Sequence, residues 1–360
     1  MTIGRRSKHT TSLRAAKPFY DTELGSIQRL TAQELPILKN LSIKRLILAP
    51  GSIREPHWHA NANELTYCLQ GKLLVSILDT GNEFSNFTLE AGEMFHVKSG
   101  SLHHIENVGD EEAELIIAFR HECPVGFSLH ASFGAISDAV FGNTYDLKSD
   151  AFASMSRSTE SKYIVQRQGK PNIPSTAHLP DLHKFNVEEM QASTRSVNDS
   201  AKPTRSQSWP ALDNMSLYSL RSEEEGMREP HWHPSTGEMG FVHRGEARMS
   251  VLDPNGSVDT YYLKPGDVYF IPSAYPHQIE MIGDEKIHFL IFFDQPTPGD
   301  IAYRTSATAV SRQAMAATFD VPEEDLPQFP TTTKDPLIVG CRNPVDRKPY
   351  KLFEEEMVIL

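Results

Sequence analysis

The hexapeptide Arg-Glu-Pro-His-Trp-His occurs twice, at Arg54–His59 and at Arg228–His233, and a glutamate follows each copy at the same spacing, Glu64 and Glu238. His57 and His231 are 174 residues apart, and that spacing also relates Gly71 to Gly245, Asp79 to Asp253, Gly92 to Gly266 and His103 to His277. It carries Gly109-Asp110-Glu111 onto Gly283-Asp284-Glu285, so Arg54 to Phe119 matches its repeat without a gap. About a third of these positions are identical, among them every residue with metal-ligand chemistry. A chain repeated in this way is expected to fold as two like domains, each with its own ligand set.

At 360 residues there is enough chain for two cores. A hydrophobic fraction of 39% and a charged fraction of 23% describe a globular protein. No apolar run approaches the roughly 18–20 residues that span a bilayer. The net charge of −12 argues against nucleic acid, whose phosphates need a basic stripe. An anionic substrate would have to be drawn in by local arginines. The three cysteines, Cys68, Cys123 and Cys341, have no CxxC spacing and make no disulfide framework; Cys68, in an apolar run, reads as a buried thiol. The first residues lack the apolar stretch of a secretory signal, and Arg5-Arg6 is followed by polar residues, against a twin-arginine signal. The expectation is a cytoplasmic protein with a disordered tail. The absence of acids before Asp21 leaves a mitochondrial transit peptide as the minor alternative.

Short strands broken by turns are expected at Ser42–Leu48, Leu65–Leu69, Leu73–Leu78, Phe84–Leu89, Met94–Val97 and Glu114–Phe119, and again from Ser216–Leu220 through Ile287–Phe293. Many short strands at this spacing predict an all-β sandwich or barrel in each half. Helix-like stretches follow, at Phe133–Phe141 and Ser311–Phe319. Residues 1–25 read as a tail, 26–147 as the first domain, 148–205 as a linker and arm, 206–325 as the second domain and 326–360 as a second tail. The arms are placed at Ile27–Leu38 and Asp181–Met190.

On a strand, residues two apart face one side, so His57 and His59 enter a common cavity while Trp58 turns out. Pro56 marks a strand start or a bulge. Glu64 can return into the cavity from the next strand and His103 can close it. His231, His233, Glu238 and His277 repeat the arrangement. Three imidazoles and one carboxylate, with oxygen ligands in the remaining positions, suit an octahedral manganese or iron better than a closed tetrahedral zinc.

With these residues in view a family resemblance emerges. Gly51–Gly71 resembles the first motif of the cupins: a glycine, HxH, a glutamate and a closing glycine. Gly92–Asn107, around His103, resembles the second. The second copy matches with His231, His233, Glu238, Gly245, Gly266, Pro272 and His277. Departures are Lys98, Ala274, Met281 and the placement of Gly226, and none removes a ligand. Within the cupins the chain is similar, over most of residues 26–325, to the oxalate decarboxylases and the related oxalate oxidases. The resemblance implies two tandem jelly-roll barrels with short helical arms, a manganese ion in each (iron the alternative), dioxygen as co-substrate or cofactor, and a homo-oligomer.

Breaking the C–C bond of oxalate heterolytically would leave a carbanion without an electron sink, so a redox-active metal, a cation for the dianion and an acid/base group are needed. Arg54 and Arg228 resemble the family's substrate-binding arginine; a guanidinium holds a carboxylate by two parallel hydrogen bonds. The bland alternative is pairing with a neighbouring acid such as Glu55 or Glu229. The glutamate-bearing lid of the decarboxylases has no match at Arg120–Leu129, where Glu122 is the one carboxylate, beside His121. Ile291 stands where a glutamate is usual in the second site. The expected function is decarboxylation of oxalate to formate and CO2. Alternatives are oxidation to CO2 and hydrogen peroxide, another small carboxylate or diketone as substrate, and a non-catalytic metal-binding bicupin.

Overall fold

A computed structural model describes residues 7–192, 194–195, 200–222, 226–282, 285–333, 335–340 and 342–343. Arg5, Arg6, Gly283, Asp284 and Cys341 lie outside them. The described chain forms two antiparallel β-barrels, each a seven-stranded sheet packed on a six-stranded one. In the first barrel the larger sheet runs Lys184–Asn186, Glu93–Val97, Glu64–Gln70, Ala113–Phe119, Ser42–Leu48, Gly25–Leu30, Tyr20–Thr22. The smaller runs Gly126–Ser128, Ser52–His59, Leu102–Asn107, Lys72–Asp79, Glu83–Glu90, with Ile164–Gln166 also on Ser52–His59. The second barrel repeats this order with the strands from Thr194–Arg195 to Ile301–Ala302, and with Ile338–Gly340 on Gly226–Trp232. The expected strands are all present, most of them a residue or so longer.

The larger sheets are buried on both faces. Leu115, Ile117 and Phe119 point into the first barrel with Val75 and Phe87, while Ile116 and Ala118 join a core shared with Met239, Phe241, Leu290 and Phe292 of the second. This is why Ala113–Phe119 and Ile287–Phe293 are nearly continuous apolar runs rather than alternating ones. Phe292 is fully buried in that shared core, and its truncation to alanine would cost about 3–5 kcal/mol.

The repeats also exchange strands. Thr10–Ser12 pairs with Asp267–Ile271 of the second barrel, and Lys184–Asn186 pairs with Glu93–Val97 of the first. The two arms are themselves 174 residues apart. His9 Nδ1 meets the Phe270 carbonyl and His183 Nδ1 meets that of His96, each at 2.9 Å. The N-terminal segment expected to be a disordered tail is therefore ordered from Ser7 onward, because its strand satisfies an otherwise open sheet edge. Asp181–Met190 is likewise tied down by sheet pairing, and Ile27–Leu38 is strand as far as Leu30, then turn. The expected helix Phe133–Phe141 is two, Leu129–Gly134 and Asp138–Tyr145, because Ser128 and Ser137 each accept a bond from a backbone N–H and start a separate turn. In the second repeat, Arg312–Thr318 starts from Ser311 and is preceded by Tyr303–Ala309. No helix among the described residues is long and apolar enough to cross a membrane.

Candidate metal centres

Arg54 and His57 are three residues apart, so a regular strand would send them to opposite faces. The pairing of Ser52–His59 with Leu102–Asn107 shifts there: His57 opposes His103 but Arg54 opposes Ile105. The extra residue, at Glu55-Pro56, is the bulge that proline signalled. It resets the parity and brings Arg54, His57 and His59 to one cavity, lined also by Glu64. The same shift lies between Arg228 and His231.

His57, His59, Glu64 and His103 are all buried, with their donor atoms within 4.8 Å of one another, and so are His231, His233, Glu238 and His277. Backbone carbonyls fix the outer ring nitrogens. His57 Nδ1 donates to Glu55 at 2.8 Å and His103 Nδ1 to Ser101 at 3.0 Å. In the second site His231 Nδ1 donates to Glu229 at 2.8 Å and His277 Nδ1 to Tyr275 at 2.9 Å. Each inner nitrogen is left as a lone-pair donor. Nε2 of His103 and of His277 are buried without a hydrogen-bond partner, a cost that a metal at the centre of each cluster would remove. The residues therefore fit a divalent ion. Burial pulls the His57 and His231 imidazoles well below their usual range, which favours the neutral, ligating form.

The surroundings differ. Glu64 takes a bond from Thr66 Oγ1 at 2.8 Å, whereas Glu238 takes one from the Tyr269 hydroxyl at 2.7 Å. Arg54 Nη1 donates to the Tyr163 carbonyl at 3.0 Å and lies 3.8 Å from Glu55. Arg228 Nη1 donates to the Leu337 carbonyl at 3.1 Å, but its Nη2 is also held by Asp300 at 2.5 Å. Tyr163 and Leu337 are both in the left-handed region, at φ 60° and 65°, unusual for such residues and a strain kept where the backbone serves the arginine. The other Asp300 oxygen lies 2.9 Å from His233 Nδ1, whose hydrogen bond goes to the Gly299 carbonyl at 3.1 Å. Burial opposes protonation of His233, but Asp300 and Glu238 outweigh it and push the imidazole up to about 9; His59, desolvated and facing Lys44, is pulled down to about 4.

Lys44 lines the first cavity and was not anticipated. Its strand mates Leu46 and Leu48 point into the same barrel, so period-two counting would have found it. Glu122 is not among the residues that line either cavity. Its side chain is 37% exposed and accepts the backbone N–H of Asn40 at 3.0 Å. His121 faces it there, at 4.0 Å. Trp58 and Trp232 turn outward as expected, against Phe127 and Tyr303. Cys68 is buried, and desolvation pushes its thiol up to about 12.

The cupin family model matches residues 11–151 and 185–326. Oxalate decarboxylase OxdC of Bacillus subtilis (strain 168) is 28% identical over 77% of this chain and 73% of its own length. A probable oxalate decarboxylase of Arthroderma benhamiae is 24% identical over 85% of this chain and 77% of its own. A structure of the Bacillus subtilis oxalate decarboxylase, described with Mn(II) centres, superposes with a TM-score of 0.81 at 24% identity, over 94% of this chain and 90% of that one.

Proposed function

Since this chain belongs to the cupin family, with one cupin domain in each repeat, we propose that it is a manganese-dependent enzyme acting on oxalate, a decarboxylase yielding formate and CO2. The observation that carries this reading is the first cavity, where Arg54, Lys44 and three of the four ligand side chains, His57, His59 and Glu64, face one small space of about 30 Å³. That is room for one or two water-sized groups beside an ion. Similarity to oxalate decarboxylases supports the choice of substrate, and the Mn(II) centres named for the Bacillus protein support the choice of metal. Manganese, held by three imidazoles and a carboxylate, would supply the one-electron chemistry that makes CO2 loss from oxalate feasible, with dioxygen as its cofactor. The protein's own residues do the rest. Arg54 holds one carboxylate and offsets negative charge. The apolar walls, Ile105, Ile117 and Phe119, exclude water.

Decarboxylation breaks the C–C bond, releases one carboxylate as CO2 and places a proton on the carbon that becomes formate. Glu122 is badly placed to give that proton. Lys44 borders the cavity, and desolvation together with the charge of Arg54 pulls its ammonium down to about 7, so it has a proton to give near neutrality. Oxidation needs no proton on carbon: oxalate, dioxygen and two protons give two CO2 and hydrogen peroxide. The displaced Glu122 is the observation that favours this second reading.

The test supplies oxalate to metal-loaded protein under air and assays both products. Formate without peroxide is the expected result; peroxide equal to oxalate consumed would replace the decarboxylase with the oxidase, and no turnover with metal bound would sink both. A homo-oligomer belongs to the same proposal. The helical stretches after each barrel expose Val140, Tyr145 and Leu147 in one repeat and Tyr303, Val310 and Phe319 in the other, apolar surface that self-association would bury. A monomeric mass by sedimentation would refute it.

A further inference from the structure

The two cavities differ in a residue that no metal requires. Lys44 shares the inward parity of Leu46 and Leu48 and lines the first cavity with Arg54 and the ligands. Its repeat equivalent is Tyr218, whose hydroxyl is taken up by Arg205. Lys44 Nζ lies 4.4 Å from the centre of the Phe119 ring, which in turn packs on the His59 ring at 4.7 Å. No hydrogen bond or ion pair joins this ammonium to any other described residue. Drawing an ammonium out of water beside a second cation is costly unless an anion arrives to meet it. An apolar side chain would satisfy the same packing.

We propose that Lys44 is a second anion-binding residue, which with Arg54 grips both ends of a small dianion and makes the first cavity, rather than its repeat, the substrate site. The choice of oxalate as that dianion rests on the function proposed above; the grip itself rests on the cavity. Side-chain charge agrees. Among the side chains that line each cavity, Arg54 and Lys44 against Glu64 leave the first one positive charge ahead, whereas Arg228 against Glu238 leaves the second neutral. A divalent metal adds equally to both. A dianion therefore meets net attraction in the first, and in the second an arginine already occupied by Asp300. Burial and the charge of Arg54 lower the Lys44 ammonium to about 7, and a bound anion would hold it protonated.

The test is calorimetric binding to metal-loaded protein with air excluded, so that no turnover intervenes. Wild type should bind one oxalate per chain. Lys44→Met should weaken that binding about tenfold or more, the scale of one charge-assisted hydrogen bond, while formate, with a single carboxylate, loses little. Lys44→Arg should restore most of the affinity. Lys44→Gln, polar and of similar length, is the second uncharged variant should the methionine not fold; melting and metal content check both. Unchanged oxalate affinity in the uncharged variants would overturn the proposal and leave the oxalate function standing, and so would equal losses for oxalate and formate. Malonate bound in a Lys44-dependent way, with oxalate ignored, would support the grip and remove oxalate as substrate. Neither dianion binding to wild type would overturn both.

Discussion

The two metal centres keep the same four ligands, yet they steady them by different means. Glu64 is held by Thr66, which faces Phe95 across the sheet; Glu238 is held by Tyr269, which faces Gly240. A Cβ on Gly240 would lie 2.1 Å from the Tyr269 ring, so tyrosine and glycine belong together, as threonine and phenylalanine do. One hydrogen bond to the carboxylate is thus delivered from opposite strands. Around the arginines no such balance holds. Asp300 clamps Arg228 and His233, and its repeat equivalent is Gly126, where even a Cβ would come within 2.7 Å of the Trp58 carbonyl oxygen. The ligand geometry is preserved in both halves, whereas the surroundings of the arginine have diverged. The first cavity keeps a cation open to a ligand, and the second has tied its own down.

The largest expected break of that comparison is at Arg54. Arg54→Ala should lower kcat/KM for oxalate by about 10²-fold or more, as removal of a group that stabilises developing charge does, with both metals retained. A loss under threefold would mean that substrate does not sit on this arginine. Asp300→Ala comes next. Removing the carboxylate beside His233, whose Nδ1 keeps its bond to the Gly299 carbonyl, should weaken metal at the second site by about tenfold while the first keeps its ion. Metal content under a graded chelator should then fall in two steps, and one shared step would deny the asymmetry.

Which of these features could be read from the chain follows from how each is encoded. The ligands were legible because repetition turns a weak HxH into a strong signal, and the bulge was legible because Pro56 marks it. Lys44 was hidden by its neighbour Arg45, since a Lys-Arg pair looks like solvated surface until period-two counting sets Lys44 with Leu46 and Leu48. Asp300 lies far beyond the motif in what reads as loop, and it reaches His233 only through the pairing of Ile301–Ala302 with His231-Trp232. The exchanged arms share little more than His9 and His183, because backbone pairing constrains side chains weakly. Glu122 stands out in the sequence as the one carboxylate of its segment. Sequence could not tell that the Asn40 N–H would claim it.

A smaller effect tests the exchanged supports. Tyr269→Phe leaves a buried oxygen of Glu238 without its donor and should cost about 1–3 kcal/mol of stability, read from the denaturant midpoint of metal-free protein. Thr66→Val should cost a similar amount in the first barrel. The sharper experiment is transplantation. Thr66→Gly and Phe95→Tyr should each destabilise alone, by opening a gap and by crowding Thr66, yet together they should recover most of the loss. Additive losses would show that the two pairs are not equivalent solutions to one constraint.

Glu122→Gln should do least of all. The side chain is partly exposed, and its amide oxygen can still accept the Asn40 N–H, so stability should stay within about 0.5 kcal/mol. Formate production should change by less than about twofold, because proton transfer demands hydrogen-bond reach and this carboxylate lines neither cavity. A tenfold loss of formate, with oxalate binding intact, would require Arg120–Leu129 to leave its seat and carry Glu122 over the first site during turnover. The difference between the repeats would then lie in a moving segment as well as in Lys44, and peroxide measured on the same variant would show whether the missing proton had turned the decarboxylase into an oxidase.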